Sequence, residues 1–393
     1  MKRIYLDHAA TTPVRAEARR AMMPHLTKKF GNPSSLHFFG QEAIAAVDGA
    51  RTAVAKALHA DFRDIIFTGS ATEANNLALR GSVARFRERH PKLTPRVIVS
   101  AIEHEAVLET AHALQGEGAE LVVIPVDMQG RADLARLKEA LNDRTVIVSV
   151  MYVNNEIGTI QPVREIGELV AALRKTKPYP LFHTDAVQAF NYCACNVEAL
   201  SVDMLTLSAH KIGGPKGVGA LFVREREERE TLAPIITGGG QEFGMRSGTE
   251  NVAGIVGFAA AVTAVEYERV KEAKRLLSLK KILWAGIKKR MPEAWVHGMD
   301  EAHFSGAAPH ILNVAFPNIP VDDLLVRLDM AGIAVSTGSA CAARAAKGSH
   351  VLGALCDNLS RGIRFSMGRA TTAGDIQEAL RRLTRALPHG RIV

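Results

Sequence analysis

The chain has 393 residues, 47% of them hydrophobic and 23% charged, a balance that excludes a disordered chain and leaves room for two or three domains with their own cores. A formal charge of +8 and a sequence pI near 9.4 permit acidic partners, but the basic residues are scattered and no nucleic-acid motif accompanies them, so direct nucleic-acid binding is not favoured. No apolar run reaches membrane-spanning length, the first residues lack a signal-peptide pattern, and the four cysteines (Cys193, Cys195, Cys341 and Cys356) are too few for a disulfide framework, which together point to the cytoplasm and no membrane partner.

From about residue 40 to 225 short apolar runs alternate with helix-period segments. Strands are predicted at 64–68, 96–101, 120–125, 145–150, 181–184, 203–207 and 218–223, and helices at 72–89, 106–116, 133–141 and 163–175. This order predicts an α/β fold with a mainly parallel seven-stranded sheet and helices on both faces. A long helix at 251–290 leads into a smaller α+β unit with a strand at 311–316, a helix at 322–330, a further segment at 362–366 and a C-terminal helix at 372–387. The expected division is an N-terminal arm over 1–14 packed with the small domain, a large domain over 15–257 and the small domain over 258–393.

Ligands of doubly wound sheets sit beyond the carboxyl ends of the strands, so the polar residues there carry the functional reading. After 64–68 comes Gly69-Ser70-Ala71-Thr72, a glycine turn opening a helix, which suits a phosphate and equally suits a plain N-cap. After 96–101 comes His104, able to stack on a flat ring or move protons, though a lone histidine is more often structural. After 145–150 come Asn154 and Asn155, either turn formers or amides for a ligand. Asp185 follows 181–184, and a carboxylate there is costly unless it meets a cation such as a protonated pyridine nitrogen, with Gln188 one turn on. After 203–207 comes Ser208-Ala209-His210-Lys211, running into the glycine-rich turn 212–219. The lysine can form a Schiff base with an aldehyde while Ser208 and His210 hold an anion. An isolated lysine would be a surface residue, but five such strand ends together imply pyridoxal 5'-phosphate. Cys193 and Cys195 read as small packers, since their spacing fits no zinc site and no second pair exists.

Tyr5-Leu6-Asp7-His8-Ala9-Ala10-Thr11-Thr12-Pro13, Gly31-Asn32-Pro33-Ser34-Ser35-Leu36-His37, Ala71-Thr72-Glu73-Ala74-Asn75-Asn76, Asn154-Asn155-Glu156-Ile157-Gly158, His183-Thr184-Asp185-Ala186-Val187-Gln188, Ser208-Ala209-His210-Lys211, Gly238-Gly239-Gly240-Gln241-Glu242 and Arg246-Ser247-Gly248-Thr249-Glu250-Asn251 stand in an order and spacing that resembles the cysteine desulfurases of the NifS/IscS type, from about residue 4 to 386. The resemblance implies a fold-type-I pyridoxal-phosphate homodimer that turns L-cysteine into L-alanine. It implies Lys211 as the Schiff-base lysine, His104 stacking on the ring and acting in proton transfer, Asp185 at the ring nitrogen and Gln188 at the ring hydroxyl. Ala71, Thr72, Ser208 and His210 would hold the phosphate, and Thr249 would reach the phosphate of the other subunit. Asn155 and Arg369 would hold the substrate carboxylate.

Ser336-Thr337-Gly338-Ser339-Ala340-Cys341 completes the resemblance. From the residues alone Cys341 reads as an inert core thiol; the resemblance makes it the acceptor that carries sulfur as a persulfide. Small residues around it suit a mobile loop. The seven residues between Cys341 and Ser349-His350 match the long-loop branch of the family, whose cysteine reaches partner proteins. The implied partners are an iron–sulfur scaffold or another sulfur acceptor, serving cluster assembly or tRNA thiolation. No resident metal is implied, Cys341 being a ligand only to a cluster in transfer. The family's usual Glu-Pro is Lys347-Gly348 here, Ala370 replaces a usual phenylalanine, and the longer C-terminal tail of some relatives is missing, all of which bear on partner docking. The rival readings are a selenocysteine lyase, another lyase or aminotransferase of the same fold, and a silent sulfur-relay scaffold.

Overall fold

The computed structural model describes residues 2–175, 177–224, 232–302, 304–338, 348–355 and 361–387. The chain begins with β1 (Ile4–Tyr5), α1 (Ala16–Thr27) and α2 (Phe38–Leu58). It continues through β2 (Ile65–Thr68), α3 (Ala71–Arg89), β3 (Arg96–Ser100), α4 (Glu105–Gly116), β4 (Glu120–Ile124), α5 (Leu134–Ala140), β5 (Thr145–Ser149), α6 (Val163–Arg174), β6 (Leu181–Asp185), β7 (Met204–Ser208) and β8 (Gly219–Val223). Then come α7 (Val252–Arg290), β9 (Trp295–Val296), β10 (Ile311–Ala315), α8 (Val321–Met330), β11 (Ile333–Ala334), α9 (His350–Leu355), β12 (Ile363–Ser366) and α10 (Ala373–Ala386).

The seven-stranded sheet has the order β2-β8-β7-β6-β5-β3-β4. All neighbours pair in parallel except β8, which runs antiparallel to both β2 and β7. Six carboxyl ends therefore lie along one edge of the sheet, and β8 presents its glycine start there. The sheet is buried on both faces, and the pleat divides its apolar residues between two cores. Ile65, Phe67, Ile98 and Val148 face a core with α2 and the first half of α7, whereas Ile66, Val97, Val99 and Ile147 face one with α3 and α4.

A third core holds the antiparallel sheet β12-β10-β9, the parallel pair β1-β11, and α8 and α10. Helix α7 serves two cores: Val252 to Val265 pack in the first and Leu276 to Ile287 in this third one. Pairing of Ile4 with Ile333, and the bridge from Asp7 to Ser366, place the start of the chain on the smaller sheets.

The predicted large-sheet strands fall within a residue or two of the observed ones, with Asp185 and Ser208 as the last strand residues rather than loop residues. Lys211 closes a single helical turn, Ala209–Lys211. Helices α1 and α2 are not among the predicted elements. The first carries Pro24 and only one buried residue, Ala18, so its apolar period is weak.

A buried ion pair fixes the chain beyond the sheet. Arg51 on α2 bonds both carboxylate oxygens of Glu242 at 2.7 and 2.9 Å, and Phe67 N–H donates to the same carboxylate at 2.9 Å. Phe62, Phe67 and Phe243 surround the guanidinium within 5.5 Å. Removing the cation strands a buried carboxylate, so Arg51→Met is expected to lower unfolding free energy by about 3–5 kcal/mol in urea denaturation.

Candidate active site

A cavity of about 420 Å³ opens at the sheet edge where these strand ends meet. Ala71, Thr72, His104, Asn155, Asp185, Gln188, Ser208, His210 and Lys211 all line it, so the structure gathers most of the residues singled out in the sequence. Their order across the cavity follows the strand order.

At one end, Ser70 caps α3, its hydroxyl accepting from Glu73 N–H at 3.1 Å. The cap and anion readings are therefore compatible: Ala71 and Thr72 line the cavity, and as first-turn residues their N–H groups have no carbonyl within the helix to bond. Gly219, the first residue of β8, lies against this turn. A Cβ there would stand 2.7 Å from the carbonyl carbon of Ser70 and 2.9 Å from Ala71 N, so only glycine allows the approach. Glu73 accepts from Gly69 N–H at 2.9 Å and from Arg246 at 2.8 Å, which ties the turn to the segment bearing Thr249. Thr249 itself is exposed and is not brought to the cavity.

Further along the edge, Asp185 accepts from Asn75 Nδ2 at 2.8 Å and from Val187 N–H at 3.0 Å. Asn75, buried on α3, was not singled out in the sequence; its place one helical turn after Ala71 is the signal that could have found it. Burial is the main cause that lowers the pKa of His104, which leaves its ring neutral. Its Nδ1 accepts from Ala106 N–H at 3.0 Å, so the neutral ring carries its proton on Nε2. Burial, then the Lys211 and Lys216 charges, pushes His210 down to about 4.

The start of the chain closes the cavity. Lys211 Nζ donates to the carbonyls of Ala9 at 2.5 Å and Ala10 at 2.8 Å. Gln188 Nε2 also donates to Ala9 O, at 2.9 Å, and its Oε1 meets His310 Nε2 at 3.2 Å. His210 Nδ1 lies 3.1 Å from Thr11 Oγ1, and Thr12 Oγ1 donates to the His210 carbonyl at 2.7 Å.

The tandem asparagines divide their work. Asn154 turns the chain, its Oδ1 accepting from Glu156 and Ile157 N–H, while Asn155 faces the cavity. Arg364 of β12, only 1% exposed, reaches into the same cavity and donates to the Asn155 carbonyl at 2.8 Å and to Asp7 at 2.9 Å. Arg369, expected at this place, is not brought here. It lines a neighbouring cavity, half exposed and 3.5 Å from Glu268. The strand period separates the two: Arg364 lies inside a buried strand and Arg369 in the turn after it. Cys341 and Cys356 lie outside the described residues. Cys195 is buried and Cys193 nearly so, and burial pushes the Cys193 thiol up to about 11, which agrees with packing rather than chemistry.

The donor set fits pyridoxal phosphate. A carboxylate buttressed by Asn75 suits a ring-nitrogen proton, helix-first N–H groups beside Gly219 suit a phosphate, and an amine lies between them. Among the described residues no group of three or more His, Cys, Asp or Glu side chains is gathered that could hold a metal ion.

Glu103, adjacent to His104, is fully buried, and desolvation raises its pKa to about 8. An acid whose folded pKa lies above its unfolded value stabilises the fold at low pH and loses that contribution as pH rises through the folded value. Stability is thus expected to fall between about pH 4.5 and 8, by at most about 1.4 kcal/mol per pH unit, and Glu103→Gln to flatten the decline in denaturation series across that range.

Comparison with known proteins agrees with this geometry. The class-V aminotransferase model matches residues 4–379. A putative cysteine desulfurase IscS 1 of Bacillus subtilis (strain 168) is 43% identical over 383 residues, 96% of this chain and 97% of its own. Among solved structures, a NifS-like protein superimposes with a TM-score of 0.87 at 35% identity, covering 98% of this chain and 99% of its own. SspA in complex with cysteine does so with a TM-score of 0.79 at 34% identity, covering 93% and 98%. The chain belongs to the class-V aminotransferase family of pyridoxal-phosphate enzymes and, within it, to the cysteine desulfurases of the NifS/IscS type.

Proposed function

We propose that this protein is a cysteine desulfurase that converts L-cysteine to L-alanine and leaves the sulfur on Cys341 as a persulfide. The observation that carries the reading is the meeting of Lys211, Asp185, His104 and Arg364 on one cavity. Asp185 would hold the ring nitrogen, Gln188 the ring oxygen and His104 the ring face, with Ala71, Thr72, Ser208 and His210 around the phosphate. Bound pyridoxal phosphate draws electrons from the substrate α-carbon. Lys211 Nζ removes the α-proton and returns it. Arg364, with Asn155 beside it, takes the carboxylate role first assigned to Arg369, because a buried guanidinium on the cavity wall suits a bidentate anion. The Cys341 thiolate attacks the substrate sulfur. An S–S bond forms as the C–S bond breaks, the electron pair stays with the carbon fragment, and protonation there completes alanine.

The exposure of Thr249 supports a homodimer in which it serves the partner's phosphate. In this reading residues 1–14 are an arm, 15–257 hold the cofactor and 258–393 carry the acceptor thiol. Among the described residues no helix is long and apolar enough to cross a membrane, which is compatible with work in the cytoplasm on a sulfur-accepting protein, whether for iron–sulfur assembly or tRNA thiolation.

Cys341→Ala is expected to keep the visible cofactor absorbance and lose persulfide formation. Arg364→Ala should lower kcat/KM for cysteine about a hundredfold, and Arg369→Ala less than about tenfold. Steady-state rates with cysteine, selenocysteine, and alanine plus a keto acid check this. A preference for selenocysteine without persulfide, or for transamination, would favour a lyase or aminotransferase. A purified protein without cofactor would favour a relay scaffold.

A further inference from the structure

The amide of Gln188 is held by two neighbours from outside its own sheet. Gln188 lines the cavity just past the end of β6. Its Nε2 donates to Ala9 O at 2.9 Å, and its Oε1 lies 3.2 Å from His310 Nε2. Ala9 offers a carbonyl at that point, so the amide must turn its NH2 that way and its oxygen towards His310. The imidazole is therefore the donor, with its proton on Nε2. Its Nδ1 has no partner among the described residues, which suits the bare nitrogen of that tautomer. Burial, then Lys280, Arg364, His8 and Lys211 around it, hold the pKa of His310 well below the ordinary histidine value, so the ring is neutral and has one proton to give. His310 is 3% exposed and stands immediately before β10, its ring 4.3 Å from that of Tyr192. Its carbonyl accepts from Met367 N–H at 2.8 Å. The donor to Gln188 thus comes from the smaller antiparallel sheet, whereas Gln188 follows a strand of the large one.

We infer that His310 is a positioning residue for Gln188: it pins the amide oxygen, which leaves the second hydrogen on Nε2 for the ring oxygen of the cofactor. That hydrogen has no partner among the described residues. The inference rests on the reading of Gln188 as the ring-oxygen partner. The bonds run one way, imidazole N–H to amide oxygen and amide N–H to carbonyl, so each polarises the next. A residue of the small sheet thereby tunes a donor at the cofactor, and the seating of one sheet on the other reaches the ring through it. A histidine that only filled space against Tyr192 could be replaced by another ring with no effect on the proton affinity of the bound cofactor.

The test compares the holoenzymes of His310→Phe, His310→Leu, His310→Gln, Gln188→Leu and the His310→Phe/Gln188→Leu pair. The readout is the pH midpoint at which the visible absorbance of the bound cofactor changes, with no substrate present. That change marks loss of a proton from the chromophore, and a donor to the ring oxygen favours the deprotonated side by stabilising the anionic oxygen. The other titratable side chains that line the cavity with Lys211 are Asp185, His104, His210, Lys216 and Arg364, and they are the same in every variant. Gln188→Leu should raise the midpoint by about one pH unit, and His310→Phe and His310→Leu by about half of that. His310→Gln keeps an N–H near the place of Nε2 and should stay within about 0.2 of a pH unit of the wild type. Losing Gln188 removes the group that His310 acts through, so the pair should shift no further than Gln188→Leu alone. A raised midpoint in Gln188→Leu with none in either apolar His310 variant would overturn the inference, as would a shift in the pair equal to the sum of both. An unmoved midpoint in Gln188→Leu would instead remove the reading of Gln188, and the inference with it. If the apolar variants fail to hold cofactor, the ring-nitrogen resonances of isotope-labelled histidine in the wild type, assigned against His310→Gln, decide. A proton on Nε2 of His310 supports the inference, and one on Nδ1 overturns it.

Discussion

Two backbone carbonyls, those of Ala9 and Ala10, hold the reactive end of this molecule together. They accept from the side chains of Lys211 and Gln188, which come from the ends of β7 and β6. The same short segment reaches the small sheet, His8 N–H donating to the Ser366 carbonyl at 3.1 Å and Ala9 N–H to Ser366 Oγ at 2.9 Å. Thr12 then returns to the large sheet through the His210 carbonyl and Gly213 N–H. A segment with almost no secondary structure of its own thus joins two separately cored units across the cavity. Its hydrogen bonds are largely shielded from water, which makes them stronger and makes their loss costlier.

Sheet direction explains why such distant residues meet. Parallel strands bring their carboxyl ends to one edge, so Thr72, His104, Asn155, Asp185 and Lys211 arrive there from the ends of five different strands. The antiparallel β8 adds its beginning rather than its end, and this is why a glycine lies against the turn that opens α3. Burial then sets the protonation. His104 and His210 are held below the ordinary histidine range mainly by desolvation, so the imidazoles that line the cavity are neutral near pH 7.

The large sheet was legible because strands buried on both faces are continuous apolar runs and the helices between them keep a clear period. The residues at the strand ends followed from that alone. What stayed hidden depends on contacts between distant segments. Asn75 buttresses Asp185 across 110 positions, and its place one turn into α3 puts it on the cavity side without naming that partner. Arg364 and Arg369 are both arginines of one short motif, and only the burial of β12 tells which one faces the cavity. Helix α1 has too few buried positions to declare itself, and β1 is two residues long, so its pairing with β11 has no local signature.

Much of this cavity would serve many amino-acid reactions. An acid at one end, helix-first residues at the other and a lysine between them suit a cofactor, and in the proposed reaction Arg364 and Cys341 decide what is done there. Everything in the proposed reaction depends on Lys211 being the residue that bears the cofactor. Borohydride reduction of the purified holoenzyme followed by peptide mass spectrometry tests it most directly, since Lys216 lines the same cavity and offers a second amine. The account predicts a stable phosphopyridoxyl group on the peptide containing Lys211, at Lys211 and not at Lys216. Label on Lys216, or cofactor released unreduced with Lys211 unmodified, would contradict it.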